Sequence, residues 1–371
     1  MLNPEVRAEL LRQKMMKANG ETRFLIARIE GTGQEIDPKK VLDSYFRYKQ
    51  YTRGRTDYER QWLAASLKEV WSEKFIGLAE NFQSRPLDEV KKLEFQNAAY
   101  SAAYRLGGRN SDPRDFNKVF TAQLSGCTYA CNYCYVPLSA NSASLEYAKF
   151  FSAREIVKFF LKARASSEEP INVLRISGGE PTIVPEIITE IYSELEKVNS
   201  EKKFYLWIDT NLSTAKHMEK IESSLKDVLQ KRNVGIVGCF KGVCKEDFAR
   251  ITGAAPEFYK SQFETAKLLA SWKSDFYTYL PALVYENSIE EKLRGFAEML
   301  MKINKNLPLR TEMLIIKEYP KAKENMEFFS KSGRPMPKTD QRMVFGLWHN
   351  KILPSLYPAR ELKKYCCEAG L

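Results

Sequence analysis

The sequence predicts an α/β protein whose central part is a run of six βα units around a parallel sheet. Between about residues 118 and 318, short apolar or β-branched segments alternate with longer segments whose apolar residues recur at helical spacing. Polar and glycine-containing turns follow several of the short segments directly. Because consecutive βα units curl around a common axis, we expect a complete or partial TIM-like barrel. In such a barrel the chemistry lies at the carboxyl ends of the strands.

Six segments rich in apolar and β-branched residues are the candidate strands. They are KVFTAQL (118–124), INVLRIS (171–177), KFYLWID (203–209), VGIVGCF (234–240), FYTYLPALVY (276–285) and LRTEMLII (309–316). The segments between them, among them AREIVKFFLKARAS and PEIITEIYSELEKV, are typical of amphipathic helices. A helix after each strand indicates that neighbouring strands are parallel.

The regions on either side of the barrel have a different pattern. The N-terminal region predicts a mostly helical extension, because its amphipathic segments carry apolar residues at helical spacing. Those segments are 37–51, 57–82 and 87–106, after a charged N-terminus that also has a helical pattern. The C-terminal region is less regular and is interpreted as a closing segment. The predicted divisions are 1–115, 116–318 and 319–371.

The composition is that of a soluble globular protein, with 44% hydrophobic and 28% charged residues. No apolar run approaches the roughly 18–20 residues that a membrane span needs. The charged N-terminus lacks the apolar core of a signal peptide, so we expect a cytoplasmic protein with no membrane partner. The formal net charge of +11 is compatible with an anionic partner, but charge alone does not establish nucleic-acid binding.

One basic and aromatic stretch, YFRYKQYTRGRTDYER at 45–60, has two interpretations. Interleaved basic and aromatic side chains suit stacking on bases together with phosphate contact. An amphipathic helix would instead bury the aromatics and leave the charges in water. We favour the helix, since residues 1–117 carry 21 basic and 17 acidic residues and hold little of the positive excess. The basic residues concerned are Arg47, Lys49, Arg53, Arg55 and Arg60.

Three of the seven cysteines stand directly after the first candidate strand, in SGCTYACNYCYVP. Cys127, Cys131 and Cys134 have the spacing C-x3-C-x2-C, and thiolates are soft ligands suited to iron–sulfur clusters and zinc. Structural zinc usually takes four ligands, but no second C-x2-C pair exists and the only histidines are His217 and His349. Three thiolates from one loop can instead hold three corners of a cubane cluster and leave its fourth iron open.

The segment CTYACNYC resembles the cluster-binding loop of the radical S-adenosylmethionine (radical SAM) superfamily, including the aromatic Tyr133 before the last cysteine. The resemblance implies one [4Fe–4S] cluster per chain, held by Cys127, Cys131 and Cys134. It also implies that the open iron binds the amino and carboxylate groups of S-adenosylmethionine (SAM). SAM is then cleaved to methionine and a 5′-deoxyadenosyl radical, which takes a hydrogen atom from a substrate.

A second motif follows the second candidate strand, in ISGGEPTIVPE. Gly178 and Gly179 permit close backbone approach and unusual dihedral angles, and Pro181 suits the first turn of a helix. The stretch resembles the GGEP motif of the superfamily, which contacts the methionine part of SAM. The resemblance implies a cofactor-binding role for the turn that begins at Ser177, with Glu180 as the charge partner of the methionine ammonium.

The third candidate strand ends in WIDTNLS, which places Asp209 and Asn211 at its end. Short polar residues also cap helices, and capping of the next helix is the alternative interpretation. The stretch resembles DTNG of the glycyl-radical-enzyme activating enzymes, and this implies contacts with the ribose and methionine of SAM. Leu212 replaces the glycine of that motif, and the replacement bears on the local backbone.

The fourth candidate strand ends in GCFKG. Lys241 stands where the activating enzymes have a lysine that reaches the cofactor carboxylate, and a compact ammonium suits such an anion. The aspartate of that pattern is absent, with Cys239 in its position, and an ordinary solvent-exposed lysine is the alternative. The resemblance covers roughly residues 118–318.

Four cysteines lie outside the motif. They are Cys239, Cys244, Cys366 and Cys367. A second cluster would need them to converge, but Cys239 lies at a strand end, where a free cysteine is most often a small core residue. Adjacent cysteines are poor joint ligands of one cluster. We therefore predict one cluster per chain.

Together these motifs predict a radical SAM enzyme that acts on an unidentified substrate. The resemblance to activating enzymes favours a protein, peptide or small molecule, while the basic charge keeps RNA as an alternative substrate. A non-catalytic, metal-containing nucleic-acid-binding protein is the alternative from a different class, and it requires the GGEP and DTN matches to be coincidental. We expect an electron donor such as flavodoxin or ferredoxin as a partner.

Overall fold

One mixed sheet organises the fold, and eleven of its strands lie within the described residues. The computed structural model describes residues 1–28, 41–42, 46–50, 102, 105–106, 118–167, 171–198, 204–285, 287–316, 320–362 and 369–371. The strands are β1 (Met16–Asn19), β2 (Glu21–Ala27), β3 (Val41–Leu42), β4 (Phe46–Gln50), β5 (Lys118–Leu124), β6 (Ala148–Ser152), β7 (Ile171–Gly178), β8 (Tyr205–Thr210), β9 (Val234–Cys239), β10 (Phe276–Pro281) and β11 (Thr311–Leu314).

The six strands predicted from the sequence are β5, β7, β8, β9, β10 and β11, and all six are present. They lie side by side in chain order, and every neighbouring pair is parallel. The predicted α/β fold with a parallel sheet, a TIM-like arrangement of βα units, is therefore confirmed. The barrel is partial, because among the described strands β11 does not pair back with β5 and the sheet is not closed.

Helices connect these strands and flank the sheet. They are α1 (Pro4–Met15), α2 (Leu138–Asn141), α3 (Ala153–Ala165), α4 (Glu186–Val198), α5 (Ala215–Glu219), α6 (Glu222–Leu229), α7 (Lys245–Thr252), α8 (Tyr259–Ser271), α9 (Ile289–Ile303), α10 (Pro320–Lys331), α11 (Gln341–Leu347), α12 (Leu353–Leu356) and α13 (Ala359–Leu362). Short 3-10 turns occupy Pro181–Ile183, Pro256–Phe258 and Leu307–Arg310, and Trp348–Ile352 is a π-helical turn. No helix in the described ranges combines the length and apolar character needed to cross a bilayer.

The helix that follows β7 shows why the predicted helices pack against the sheet. In α4, Ile187, Ile188, Ile191 and Leu195 recur at helical spacing and are fully buried. Full burial of such a side chain contributes roughly 1.5–3 kcal/mol relative to exposure. This one-sided pattern therefore holds the helix on the outer face of the sheet.

The two faces of the parallel strands carry different cores, because successive side chains of a strand point to opposite sides. The outer face packs with the helices into the main core. The opposite face carries a smaller and more aromatic cluster, called the inner core here. Its members on the strands are Val119, Val173, Tyr205, Trp207, Val237, Tyr277 and Tyr279. Side chains therefore fill this part of the barrel axis.

The N-terminal region joins the same sheet instead of forming a purely helical extension. α1 confirms the helical pattern of the first residues, but β1 and β2 follow it. The helix predicted over 37–51 is wrong, because Val41–Leu42 and Phe46–Gln50 are strands. In Phe46–Gln50 aromatic and basic residues alternate with period two, which suits a strand, and pairing with the free edge of β5 decides between the two structures.

The remaining predictions for this region lie largely outside the described residues. Those are the helix over 57–82 and all of 87–106 except three residues, as well as Arg53, Arg55 and Arg60. The divisions predicted after residues 115 and 318 stay predictions. The sheet itself runs across the first of them, because β2 and β4 both pair with β5 in antiparallel fashion.

Candidate metal and cofactor site

The three motif cysteines lie on one loop, residues 126–136, which follows β5 and is called the cysteine loop here. Backbone hydrogen bonds fix it on both sides. Cys127 N donates to Asn141 O (3.0 Å), at the end of α2, and Asn132 N donates to Ile251 O (2.9 Å), in the last turn of α7. The loop is thus fastened to two helices at the carboxyl end of the sheet, where the sequence places the chemistry.

Three side chains from distant parts of the chain also bind carbonyl oxygens of the cysteine loop. They come from α1, from α10 and from the turn after α10. The pairs are Arg7 Nε with Cys127 O (2.8 Å), Asn325 Nδ2 with Cys134 O (2.7 Å) and Arg334 Nη2 with Ala130 O (3.1 Å). The N-terminal helix and the C-terminal segment therefore hold the loop from two sides. The C-terminal segment, predicted from the sequence as a closing segment, thus contacts the cysteine loop directly.

Of the three cysteines of the loop, Cys131 is buried, and Cys127 and Cys134 are partly buried. Burial, together with the neighbouring charges of Glu180 and Cys134, raises the pKa of Cys127 to about 11. Burial likewise raises the pKa of Cys131 to about 12 and raises the pKa of Cys134. The thiols of the metal-free protein therefore keep their protons at neutral pH, so metal binding must release protons.

Two of the three sulfurs accept hydrogen bonds from N–H groups. Asn211 Nδ2 lies 3.4 Å from Cys127 Sγ. Cys134 Sγ accepts from Val136 N at 3.4 Å and from Asn141 Nδ2 at 3.6 Å. Hydrogen bonds to sulfur are characteristic of thiolate ligands in iron–sulfur proteins. Three soft ligands with this surrounding fit an iron–sulfur cluster.

Two nearly inaccessible side chains beside the loop hold polar atoms with no protein partner among the described residues. These atoms are Nε2 of Gln123, at the end of β5, and Oδ1 of Asn211, after β8. A buried polar group without a partner calls for a ligand or water. Such atoms at adjacent strand ends fit a polar cofactor beside the cysteine loop.

No fourth protein ligand for the thiols appears within the described part of the chain. His217 Nε2 lies 3.2 Å from a carboxylate oxygen of Glu9, and the ring of His349 lies 4.3 Å from that of Phe345. In the described ranges no three side chains of Cys, His, Asp or Glu are arranged as a ready metal site. This finding includes the three motif cysteines, so the gathering of their thiols around one cluster stays a prediction.

The two glycines of the GGEP turn allow it to pack directly on the cysteine loop. Gly178 has φ +99°, and a Cβ on Gly179 would lie 1.9 Å from the carbonyl oxygen of Gly126. Gly179 N donates to Leu124 O and Glu180 N donates to Gly126 O, both at 2.8 Å. The close approach predicted from the sequence therefore joins the turn to the start of the cysteine loop.

Glu180 connects this turn to the next strand end. Its side chain is fully buried, and burial raises the pKa of its carboxyl group. One carboxylate oxygen accepts from Thr182 N (3.1 Å) and the other accepts from Asn211 N. Pro181 begins the 3-10 turn that follows, as predicted. The proposed role of Glu180 toward a ligand ammonium stays a prediction.

Asp209 points into the barrel and does not cap a helix. Its carboxylate accepts from Arg175 Nε (2.9 Å), Ser177 Oγ (2.5 Å) and Trp207 Nε1 (3.0 Å). The following helix α5 has Thr214 at its N-cap position and no side-chain capping bond. The capping alternative for this strand end is therefore wrong, and Asp209 joins the polar inner surface near the mouth.

Leu212 adopts the backbone conformation that a glycine would adopt easily. It has φ +63° and a fully buried side chain. The missing side chain of Gly238 on β9 makes room for it, since a Cβ there would lie 2.6 Å from a Leu212 methyl carbon. The backbone at this strand end is therefore left-handed although residue 212 is a leucine and not a glycine. Gly238, on the neighbouring strand, leaves the space that the leucine side chain fills.

Lys241 lies at the fourth strand end and is half-buried beside the cysteine loop. Its Nζ is 5.6 Å from the ring centroid of Tyr133, and its backbone N–H donates to Gln262 Oε1 (2.8 Å). Within the described residues it forms no ion pair with a carboxylate. The positive charge of Lys241 opposes the rise in the pKa of Cys131, which places this charge close to the loop.

The other described cysteines do not gather into a second group. Cys239 packs against the inner core, as expected for a small apolar residue at a strand end. Cys244 stands at the N-cap position of α7. Cys366 and Cys367 lie outside the described residues, so the prediction of a single cluster stays a prediction.

Several residues of the site could not be found by sequence motif. Asn325 and Arg334 reach the loop through side-chain hydrogen bonds from about 200 residues away in the sequence, and Asn141 reaches it from outside any motif. Arg175, which binds Asp209, belongs to no motif either, but its position next to Leu174 in the strand INVLRIS places it on the opposite face. This period-two alternation is the sequence feature from which the inward position of Arg175 can be predicted.

The fold and site define a class: a parallel partial barrel with a three-cysteine loop after its first strand and polar turns at the next three strand ends. A family model agrees with this description, since residues 124–230 match the Radical SAM superfamily. This segment is therefore similar to a radical SAM domain, and domains of that family imply a [4Fe–4S] cluster and SAM. A search of curated proteins found no match.

Three solved structures, all of SuiB from Streptococcus suis, are similar to this chain at low identity. SuiB alone shares 18% identity over 48% of this chain and 35% of its own, with a TM-score of 0.34. SuiB bound to S-adenosylmethionine shares 15% over 57% and 47%, with a TM-score of 0.37. SuiB bound to precursor peptide SuiA shares 16% over 58% and 45%, with a TM-score of 0.37. The chain thus spans less than half of SuiB.

Proposed function

We propose that this protein is a radical SAM enzyme with one [4Fe–4S] cluster on Cys127, Cys131 and Cys134 and a protein or peptide substrate. The chemistry supplied at such a site is reductive cleavage of SAM to methionine and a 5′-deoxyadenosyl radical, which takes a hydrogen atom from the substrate. The activating-enzyme-like branch remains part of the proposal, because the GGEP, DTN and lysine stretches resemble that branch.

One observation carries the proposal: the ends of three neighbouring strands converge on the cysteine loop through direct hydrogen bonds. Glu180 N bonds to Gly126 O, after β7 and β5. Asn211, after β8, bonds to Cys127 Sγ and to Thr128 Oγ1 (2.9 Å). A metal-bound ligand on this loop would lie against these turns, as the proposed cofactor roles require.

Each polar turn then has a defined task toward SAM. Lys241 supplies a half-buried cation without a carboxylate partner among the described residues, which suits the methionine carboxylate. Glu180 joins the end of β7 to the end of β8 and supplies a buried acceptor for the methionine ammonium. The turn from Ser177, with Asp209 and Asn211, lines the ribose side. Tyr133, which packs against the apolar cluster beside the cysteine loop, is the remaining proposed cofactor contact.

The shape of the described barrel favours a substrate that approaches its mouth. The inner core fills the axis with side chains, among them the fully buried Trp207 and Tyr277. At the amino end of the strands, Arg105 Nε lies 3.4 Å from Oδ2 of Asp275, the residue before β10. A reactive group must therefore be presented at the carboxyl ends of the strands, which a side chain of a protein or peptide can do.

SAM cleavage tests the proposal. Protein reconstituted with iron and sulfide without oxygen, then reduced with dithionite and incubated with SAM, is expected to form 5′-deoxyadenosine, measured by mass spectrometry. Cys134→Ala, treated identically, is the control and is expected to form none above background. A wild-type protein that carries its cluster and binds SAM, yet forms no 5′-deoxyadenosine, would overturn the proposal.

A further inference from the structure

We infer that Asn141 and Asn211 are positioning residues that set the reduction potential of the cluster by donating amide N–H bonds to two of its thiolates. This inference rests on the proposed function, because it concerns a cluster held by the cysteine loop. It goes further in assigning a role to Asn141, which belongs to no motif. It also gives Asn211 a task toward the sulfur of Cys127, apart from any contact with SAM.

Asn141 joins the first and third cysteines. Its carbonyl oxygen accepts from Cys127 N (3.0 Å) and from Arg7 Nη2 (3.3 Å). Its side-chain nitrogen lies 3.6 Å from Cys134 Sγ. The residue is 2% exposed, so water competes little with these bonds. Asn141 therefore connects Cys127 to Cys134 across the cysteine loop and places an N–H donor next to the sulfur of Cys134.

Asn211 approaches the loop from the opposite side. Its Nδ2 donates to Thr128 Oγ1 at 2.9 Å and lies 3.4 Å from Cys127 Sγ. Its backbone N–H donates to Glu180, which fixes the backbone that carries this side chain. Thr128 in turn shares a hydrogen bond of 2.7 Å with Ser213. The side-chain donor is thus held by Thr128, and the backbone of the same residue is held by Glu180.

The direction of the effect follows from charge. Reduction adds one negative charge to the cluster and its thiolates, and an N–H donor stabilises the more negative state more strongly. Loss of a donor should therefore lower the reduction potential and make the cluster harder to reduce. In a buried site with low dielectric, this effect is larger than in water.

The test uses full-length protein loaded with a cluster, and its readout is the midpoint potential from titration followed by electron paramagnetic resonance. Asn141→Ala and Asn211→Ala are expected to hold wild-type iron and to have lower midpoints, with the double variant lowest. Asn233→Ala is the matched control, since Asn233 is also buried but lies at the amino end of β9 and contacts Tyr192 (3.2 Å). Its midpoint is expected to equal that of the wild type.

Loaded alanine variants with the midpoint of the wild type would overturn the inference. If the alanine variants fail to load, Asn141→Leu and Asn211→Leu keep a similar size without a donor and without an added charge, and their midpoints are expected to fall. A failure of the leucine variants to load, with the fold retained by circular dichroism, would overturn the inference too, because the role would then be assembly. Wild-type protein that takes up no iron would instead reject the proposed function itself.

Discussion

At the scale of single residues, Glu180 shows how one buried carboxylate can serve both the fold and a ligand. Its two oxygens hold the turn after β7 and the end of β8 through Thr182 and Asn211. Thr182 Oγ1 is a third donor to this carboxylate, so at most one of its about four acceptor positions is left for an ammonium. Substitution therefore affects stability and cofactor binding together, and the two effects must be separated.

A pair of variants separates them. Glu180→Ala leaves two backbone donors without acceptors, which costs roughly 1–3 kcal/mol for each buried group left unpaired, so its melting temperature is expected to fall. Glu180→Gln keeps the size and one acceptor, and it should be the more stable of the two. It removes a charge-assisted bond worth roughly 1.5–3 kcal/mol, so we expect SAM binding at least about tenfold weaker by calorimetry. Wild-type affinity for SAM in a folded Glu180→Gln protein would contradict the assigned role.

Leu212 illustrates a compensation between two residues on neighbouring strands. A left-handed backbone at a residue with a side chain costs roughly 1–2 kcal/mol, while full burial of a leucine contributes roughly 1.5–3 kcal/mol. The space left by Gly238 allows that burial. The strand-end shape can therefore persist without the glycine of the DTNG pattern.

At the scale of elements, the C-terminal segment fixes the cysteine loop. Asn325 on α10 donates to Cys134 O and also to Val136 O (3.1 Å). Arg334 follows α10 and binds Ala130 O, with its guanidinium 4.1 Å from the Phe329 ring centroid. The closing segment therefore acts on the proposed metal site and not only on the barrel.

Loss of these anchors is expected to loosen the cluster before it unfolds the protein. In Asn325→Ala and Arg334→Ala the loop loses hydrogen bonds worth about 0.5–1.5 kcal/mol each. We expect iron to leave to a chelator several times faster than from the wild type. Asn306→Ala is the matched control, since Asn306 donates to Gly370 O (2.7 Å), a carbonyl near the chain end. Equal rates of iron loss in all four proteins would contradict this role.

The parallel strands could be predicted because each is a short apolar run with a helix after it, and local pattern decides such elements. β2 and β4 could not, because their structure depends on pairing with β5 across many residues. The same distinction holds in the site. Cys127 and Gly179 belong to compact motifs, whereas Asn325 reaches the loop through one side chain from a helix with no motif.

At the scale of the whole molecule, the positive charge raises the question of an RNA substrate. The sequence favours an amphipathic helix for 45–60, but the part of this stretch that the structure describes is the strand Phe46–Gln50. Its Phe46 is buried against Phe120, with ring centroids 5.4 Å apart, and is not available for stacking on a base. This packing supports a structural role for the aromatics and leaves the peptide proposal preferred.

Salt dependence distinguishes the two substrate classes. If RNA binds through Arg47, Lys49, Arg53, Arg55 and Arg60, affinity should fall steeply with salt, and each charge removed should flatten the slope by roughly one unit. We expect only weak binding of total tRNA, little changed when all five become Gln. Tight, salt-sensitive binding that the fivefold variant loses would reverse the choice of substrate.

Metal content tests the central claim, that three cysteines of one loop hold an iron–sulfur cluster, most directly. Protein purified without oxygen is expected to be brown and to contain about four irons and four sulfides per chain. Replacing Cys127, Cys131 or Cys134 by Ala should abolish that content. The matched control, with Ala at Cys239, Cys244, Cys366 and Cys367, should keep it. Colourless protein with stoichiometric zinc and no sulfide would contradict the account.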